Sequence, residues 1–153
     1  MKKTRHFTLI PTVATSIFLW LLMFQGINPG NPSEIILKKE KDALDKWVNR
    51  NVWGYLDLFT KDATYFDNTT KMKLKGFKAI KNYIAPWDGK IYAPNYKMTN
   101  VDVKVIDNTG ILTYNLYNFN EKGDTTACWN STEIYQKIGD DWKITHAHWS
   151  LIK

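Results

Sequence analysis

The sequence predicts an α+β domain, because the period of its apolar residues changes once along the chain. Before residue 96 most apolar residues recur at helical spacing, whereas after it they alternate along four long segments. The connections DNTG, NEKGD and IGDD are typical of hairpin turns. We therefore expect helices first and an antiparallel meander last, with the helices covering one face of a curved sheet.

The first two helices are predicted from apolar spacing. Ser33 is placed to cap a helix whose apolar residues are Ile36, Leu37, Leu44, Trp47 and Val48. Asn49 to Asn51 interrupt this pattern, and a shorter helix is expected over residues 52–59. Both helices are expected to pack against the sheet.

A strand, a turn and a third helix are predicted next. The strand covers residues 63–67, and the turn covers residues 68–73. Gly76 precedes a helix at 77–84, which Pro86 ends. The four strands of the meander are then expected at about 96–106, 110–119, 125–137 and 142–152.

The N-terminus has the layout of a secretory signal. Three basic residues, Lys2, Lys3 and Arg5, precede a charge-free apolar run. We expect residues 1–26 to be a signal peptide or N-terminal anchor, residues 27–33 a linker and residues 34–153 one domain. The protein is then exported, periplasmic or secreted; alternatively residues 7–24 anchor it to the membrane, which is the one way we expect it to meet a membrane.

Charge and cysteine content exclude some classes of protein. The net charge is +6, but three of the basic residues belong to the N-terminal segment and the other lysines are scattered. We expect no nucleic-acid partner, because no basic run is present to follow phosphates. Cys128 is the single cysteine, so it cannot form an internal disulfide, and we interpret it as a buried structural thiol.

The strands are apolar or aromatic on both faces. Leu112, Tyr114 and Leu116 alternate with a second set, Ile111, Tyr117 and Phe119. A sheet with one face in water would not show this pattern. We therefore expect one face to meet the helices and the other to meet a second subunit in a homodimer.

Two stretches of the chain resemble a known family. The segment WGYLDLFTKDATYFDNTTKMKLKGFKAIKNYI is similar to the N-terminal half of the nuclear transport factor 2-like superfamily. WNSTEIYQKIGDDWKITHAHWS is similar to its C-terminal half, especially in SnoaL-like proteins and in the association domain of calmodulin-dependent protein kinase. The resemblance covers about residues 34–152.

The resemblance implies a cone-shaped, cystatin-like fold: a curved antiparallel sheet wrapped around N-terminal helices, usually as a dimer, with a deep pocket between them. In the ketosteroid isomerase branch the general base lies where this chain has Asp67. The resemblance also places apolar or aromatic pocket residues at Phe59, Tyr83, Tyr114, Leu116 and Trp149.

The sequence departs from that branch at the groups that stabilise an enolate oxygen. The tyrosine position on the first helix falls near Ala43 or Leu44, and the acid position on a C-terminal strand falls near Ser131. The kinase association domain has a pocket arginine where this chain has Glu133. Steroid isomerisation and carboxylate binding of those kinds are therefore not expected.

Two carboxylates are candidate catalytic residues. Asp67 in an aromatic pocket would have a raised pKa, suited to a general base; alternatively, FDNTT is a turn in which Asp67 satisfies the local backbone. Glu133 is a weaker candidate that would face the same cavity, or it pairs with a lysine on a neighbouring strand. Further candidate ligand-binding residues are Tyr65, Trp129 and Tyr135.

The alternation of the last strand separates its histidines from the pocket. Thr145, Ala147 and Trp149 are expected on the pocket face, and Ile144, His146 and His148 on the outer face. Two histidines are too few for a stable metal site, so we expect no metal, and we interpret His146 and His148 as subunit-interface residues.

Three functions follow as hypotheses. The first is an exported, dimeric pocket protein that binds a small, largely apolar or aromatic ligand. The second is an isomerase, cyclase or dehydratase that needs no cofactor and uses Asp67 as its base. The third is an oligomerisation module. The sequence does not name a ligand.

Overall fold

A computed structural model describes residues 30–90 and 93–152. The predicted signal segment, residues 1–26, and the start of the linker lie outside these residues, so its export function stays a prediction. Within the described ranges, no helix combines the length and apolar character needed to cross a membrane.

The described chain contains three α-helices and six β-strands. In chain order they are α1 (Pro32–Val48), α2 (Trp53–Leu56), β1 (Phe59–Phe66), β2 (Leu74–Lys75), α3 (Phe77–Ile84), β3 (Asn95–Ile106), β4 (Thr109–Phe119), β5 (Thr125–Ile138) and β6 (Asp141–Leu151). A single 3-10 turn, Ala85–Trp87, extends α3 through Pro86. The third helix and the four meander strands are confirmed, each strand to within one residue at its ends.

The N-cap of the first helix lies two residues before the predicted one. The side chain of Asn31 accepts a hydrogen bond from the backbone N–H of Ser33 at 3.1 Å, so Asn31 is the N-cap and Pro32 follows as the first helical residue. Proline is favoured there because its missing N–H would have no partner anyway. The prediction that Ser33 caps α1 is therefore wrong; its hydroxyl instead donates to the carbonyl oxygen of Val103 at 3.4 Å.

The second helix is shorter than predicted, because strand β1 begins earlier. The helix ends at Leu56, and Phe59 is already the first residue of β1. Gly54 allows α2 to approach α1 closely: a Cβ atom at this position would lie 2.8 Å from the Cβ of Lys46 and 2.9 Å from the carbonyl oxygen of Ala43.

All six strands form one curved, unclosed sheet in the order β2-β1-β6-β5-β4-β3. Every neighbouring pair is antiparallel except β1 and β6, which run parallel. The predicted antiparallel meander is thus β3 to β6. Strand β1 extends the sheet by pairing with β6, the last strand of the meander. The core lies between the inner face and the helices, where Ile36, Leu44 and Leu112 are almost completely buried.

A bulge divides the last strand into two halves. Ile134 pairs with His146 and Tyr135 with Ile144, so Thr145 is skipped in the register. Ile144 is therefore buried in the core, as Ala147 is on the other side of the bulge. The prediction that Ile144 shares the outer face with His146 is wrong, because strict alternation fails where a strand has an extra residue.

Candidate functional site

A cavity of about 410 Å³ lies between the helices and the inner face of the sheet. Its wall is mainly aromatic, and the aromatic members come from the three α-helices, the 3-10 turn and three strands: Trp47, Tyr55, Phe59, Tyr65, Tyr83, Trp87, Trp129 and Trp149. Leu44, Ile84 and Leu116 add apolar surface, whereas Asp67 and Asn118 add polar groups. Such a wall suits a small molecule with an apolar body and a few polar contacts.

Trp149 is the centre of an aromatic cluster in this wall. Its ring meets those of Tyr55, Tyr114 and Trp129 nearly at right angles, with centroid distances of 6.2, 5.7 and 6.5 Å. Edge-to-face packing of this kind favours one orientation of each ring. The cavity wall is therefore held in shape by its own aromatic contacts.

The structure brings six of the eight predicted ligand-binding residues together. Those that line the cavity are Phe59, Tyr65, Tyr83, Leu116, Trp129 and Trp149. Tyr114 and Tyr135 do not line it. Both are buried behind the wall, where their phenols donate hydrogen bonds to Glu40. The predicted pocket position of these two tyrosines is wrong, because their rings belong to the layer beneath the wall.

Asp67 both closes a turn and lines the cavity. Its Oδ1 accepts hydrogen bonds from the backbone N–H groups of Thr69 and Thr70 at 2.8 and 2.9 Å, and from the Thr69 hydroxyl at 3.0 Å. Its Oδ2 accepts from the phenols of Tyr83 and Tyr65 at 2.6 and 3.1 Å. Both sequence interpretations of Asp67, as a turn residue and as a pocket residue, therefore describe its position.

The hydrogen bonds decide the ionisation of Asp67. Burial raises the pKa of its carboxyl group, but the hydrogen bonds from Tyr83, Thr69 and Thr70 together outweigh burial and lower the pKa below its ordinary value. The expected raised pKa of Asp67 is wrong, because the turn and the two phenols stabilise the charged form. The cavity thus contains a carboxylate that is ionised at neutral pH.

Glu133 is buried away from Asp67. Its side chain is completely inaccessible (0%) and does not line the cavity, and neither carboxyl oxygen has a hydrogen-bond partner among the described residues. Burial, followed by the negative charge of Glu40, raises the pKa of Glu133 well above its ordinary value. Both predictions for Glu133, a pocket carboxylate and a lysine partner, are wrong, because its side chain is enclosed in the core, where burial favours the protonated form.

The residue that sequence reasoning missed is Glu40. It is completely buried (0%), and its Oε1 accepts hydrogen bonds from Tyr55 and Tyr114, both at 2.5 Å, while Oε2 accepts from Tyr135 at 2.8 Å. Burial and then the Glu40 charge raise the pKa of each of these phenols. A signal was present: Glu40 interrupts the apolar stripe of α1 one turn after Ile36 and one turn before Leu44.

The two C-terminal histidines lie on the outer face of the sheet. His146 is half-buried, and its Nδ1 lies 2.8 Å from the hydroxyl oxygen of Thr64, whereas His148 is exposed. The ring of Phe66 lies 6.0 Å from the first imidazole and 5.7 Å from the second. In the described ranges, no three His, Cys, Asp or Glu side chains are grouped so as to hold a metal ion.

The comparisons agree with this geometry. The sequence profile of the SnoaL-like domain matches residues 41–153. Among curated proteins, no sequence matches the chain.

Solved structures with the same architecture are numerous, and three illustrate the range. A proposed ketosteroid isomerase from Parabacteroides distasonis is 29% identical, with a TM-score of 0.71 over 81% of this chain and 90% of the other. An NTF2-like protein of unknown function from Pseudomonas putida is 17% identical, with a TM-score of 0.69 over 77% and 84%.

The third is the CaMKII hub from S. rosetta, which is 18% identical, with a TM-score of 0.64 over 81% of this chain and 99% of the hub. At these lower identities the likeness concerns the fold. The match of the sequence profile extends over most of the chain, and it shows that this protein belongs to the SnoaL-like domain family, within the nuclear transport factor 2-like superfamily.

Proposed function

We propose that the chain is an exported, dimeric protein that binds a small, largely apolar or aromatic molecule in the cavity beneath Trp149. The supporting observation is the cavity of about 410 Å³, whose wall is built mainly from aromatic side chains and includes one ionised carboxylate. Aromatic rings supply apolar contact area with little loss of rotamer freedom, and Asp67 and Asn118 provide polar groups that can orient a ligand.

Thermal unfolding of the full chain across a panel of small aromatic and alicyclic molecules tests this function. A ligand that binds the folded state alone raises the melting temperature as its concentration increases. Ala127→Phe, which adds a ring to the cavity wall, should abolish the shift. Thr125→Phe is the matched control, because Thr125 is exposed in the same strand and does not line the cavity. A flat response across the panel contradicts the proposal.

An alternative is a cofactor-independent isomerase, cyclase or dehydratase with Asp67 as the general base. The cavity position of Asp67 supports it, and the solved structure at 29% identity is described as a proposed ketosteroid isomerase. The lowered pKa of Asp67 makes it a weak base at neutral pH, which favours binding over proton abstraction. Asp67→Asn should abolish any turnover while the fold persists; unchanged turnover removes this mechanism.

The proposed subunit contact is the outer face of the sheet around His146 and His148. An assembly module is the remaining alternative, supported by the fold shared with the CaMKII hub. Sedimentation of the full chain distinguishes the two, because a dimer agrees with the pocket protein and a larger ring favours assembly.

A further inference from the structure

We propose that the cavity selects an organic cation: a small molecule that has a protonated or quaternary amine on an apolar body. This inference rests on the proposed ligand-binding function and adds the charge of the ligand to it. It depends on the electrostatics of the wall, which can be read from the side chains that line the cavity.

The charge in the wall of the cavity is negative. Asp67 is the one acidic or basic side chain among the described lining residues, although the chain as a whole has a net charge of +6. An anionic ligand would therefore meet a carboxylate and no described lysine or arginine in the wall. A cation would meet a charge of the opposite sign.

Hydrogen bonds stabilise the charged form of Asp67. Five donor contacts, three on Oδ1 and two on Oδ2, occupy its oxygens. These donors stabilise a carboxylate but do not neutralise it, since none of them is a cation. Because its acceptor positions are already used, Asp67 attracts a ligand through its field rather than by taking a proton from it.

The aromatic part of the wall is rich in tryptophan. Four tryptophans, Trp47, Trp87, Trp129 and Trp149, line the cavity. Tryptophan is the best partner for a cation over its ring face, and several aromatic rings around one site are a known means of recognising quaternary ammonium groups. A neutral ligand of the same shape would gain the apolar contact but not this attraction.

A second acidic side chain, Glu40, lies behind the wall. The phenol of Tyr55, a wall residue, donates to Glu40 at 2.5 Å, which places that carboxylate directly behind the wall.

Binding of three matched probes to the full chain tests the inference by calorimetric titration. 2-Phenylethylamine, 2-phenylethanol and phenylacetate share a phenyl body and differ in charge. We expect the amine to bind at least about fivefold more tightly than the alcohol, which corresponds to about 1 kcal/mol at exposed cation sites, and the carboxylate to bind most weakly.

Asp67→Asn should reduce the ratio of the amine affinity to the alcohol affinity, because it removes the charge of the wall but keeps the shape of the side chain. Asp62→Asn is the matched control, because Asp62 is an exposed carboxylate of β1, the strand that Asp67 follows, and it does not line the cavity. The comparison of the three probes on the unaltered chain does not depend on any variant folding.

The outcomes separate the two proposals. If the alcohol binds as tightly as the amine, the cation preference is overturned, while ligand binding in the cavity stands. If none of the three probes binds at millimolar concentration, both the preference and the aromatic-ligand function are contradicted. An amine advantage that persists in Asp67→Asn overturns the role of this carboxylate.

Discussion

The phenol oxygen of Tyr55 lies 2.5 Å from Oε1 of Glu40, and this contact joins the cavity wall to the protein core. Tyr114 donates to the same oxygen, and both tyrosine rings pack edge-on against Trp149. The buried carboxylate thus orients the rings that support the central tryptophan of the wall. Glu40 is a polar residue in a mostly apolar core, and its hydrogen bonds stabilise the cavity wall from the core side.

Replacing Tyr55 by Phe should measure this connection. The variant keeps the ring but removes one hydrogen bond to a buried carboxylate, so we expect the free energy of unfolding to fall by about 1.5 to 3 kcal/mol. Tyr96→Phe is the matched control: its phenol donates to the exposed Asp45 at 2.7 Å, and its loss should cost less than about 1 kcal/mol. Urea unfolding of both variants checks the difference; equal losses would show that Glu40 does not strengthen the buried bond.

The stability of the Glu133→Gln variant relative to the unaltered chain should increase as the pH rises. Because the pKa of Glu133 is raised in the folded state, folding favours its protonated form. The stability contributed by that proton is complete below the unfolded pKa and is lost as the pH rises toward the folded pKa, by about 1.4 kcal/mol per pH unit.

The measurement is the difference in melting temperature between Glu133→Gln and the unaltered chain from about pH 5 to pH 8, a range that begins just above the ordinary glutamate pKa. Taking the difference removes the titration of other groups. Glu121→Gln, at an exposed hairpin position, should show no such trend. A difference that stays constant with pH would mean that Glu133 titrates normally.

Gly54→Ala should separate the first two helices. The added methyl group would lie within 3 Å of the Cβ of Lys46 and of a carbonyl oxygen of α1, and backbone cannot move aside as a side-chain end can. We expect a loss of about 1 to 3 kcal/mol in the free energy of unfolding. Gly30→Ala, where the nearest atoms are side-chain carbons of Ile35 at 3.8 Å, should change it little; similar effects at both positions would remove the packing argument.

Acid should weaken the proposed dimer through its outer-face histidines. Burial, then the nearby His148 and Lys73, lower the pKa of His146, so the folded state favours the neutral imidazole. The stability contributed by the neutral form is present above the unfolded pKa and is lost as the pH falls through the lower folded pKa. Association should therefore weaken below about pH 6.

Analytical ultracentrifugation at two pH values checks this prediction, with the double variant His146→Gln and His148→Gln as the comparison. The variant should lose the pH dependence while it retains the fold, because glutamine does not titrate. Association that is equally strong at both pH values in the unaltered chain would place these histidines outside the interface.

Repeating local patterns made most of the fold predictable. The α3 helix and the four long strands were found because their apolar spacing and turn residues agree with the final structure. The start of α1 was misplaced because Asn31 and Ser33 are both good capping residues, and Pro32 between them decides in favour of Asn31.

The site was less predictable, because its main features depend on contacts between distant parts of the chain. Glu40 accepts hydrogen bonds from tyrosines that lie 15, 74 and 95 residues away along the chain. Its position in the apolar stripe of α1 marks it as unusual but does not identify these partners. Similarly, the bulge at Thr145 changes which residues of β6 face the core, and no unusual residue in the sequence indicates this bulge. Asp67 was located correctly, but its pKa depends on Tyr83, which reaches it from a different helix.

The position of β6 has a consequence for how the fold is completed. It is the last strand along the described chain but the third in the sheet, where it joins the β1–β2 pair to the β3–β5 meander. Until its residues are synthesised, the two parts have no shared hydrogen bonds between strands, and the cavity cannot close. We therefore expect ribosome-bound chains that lack β6 to have no formed cavity. The binding site should form late in folding, because it requires long-range contacts whose loop closure costs conformational entropy.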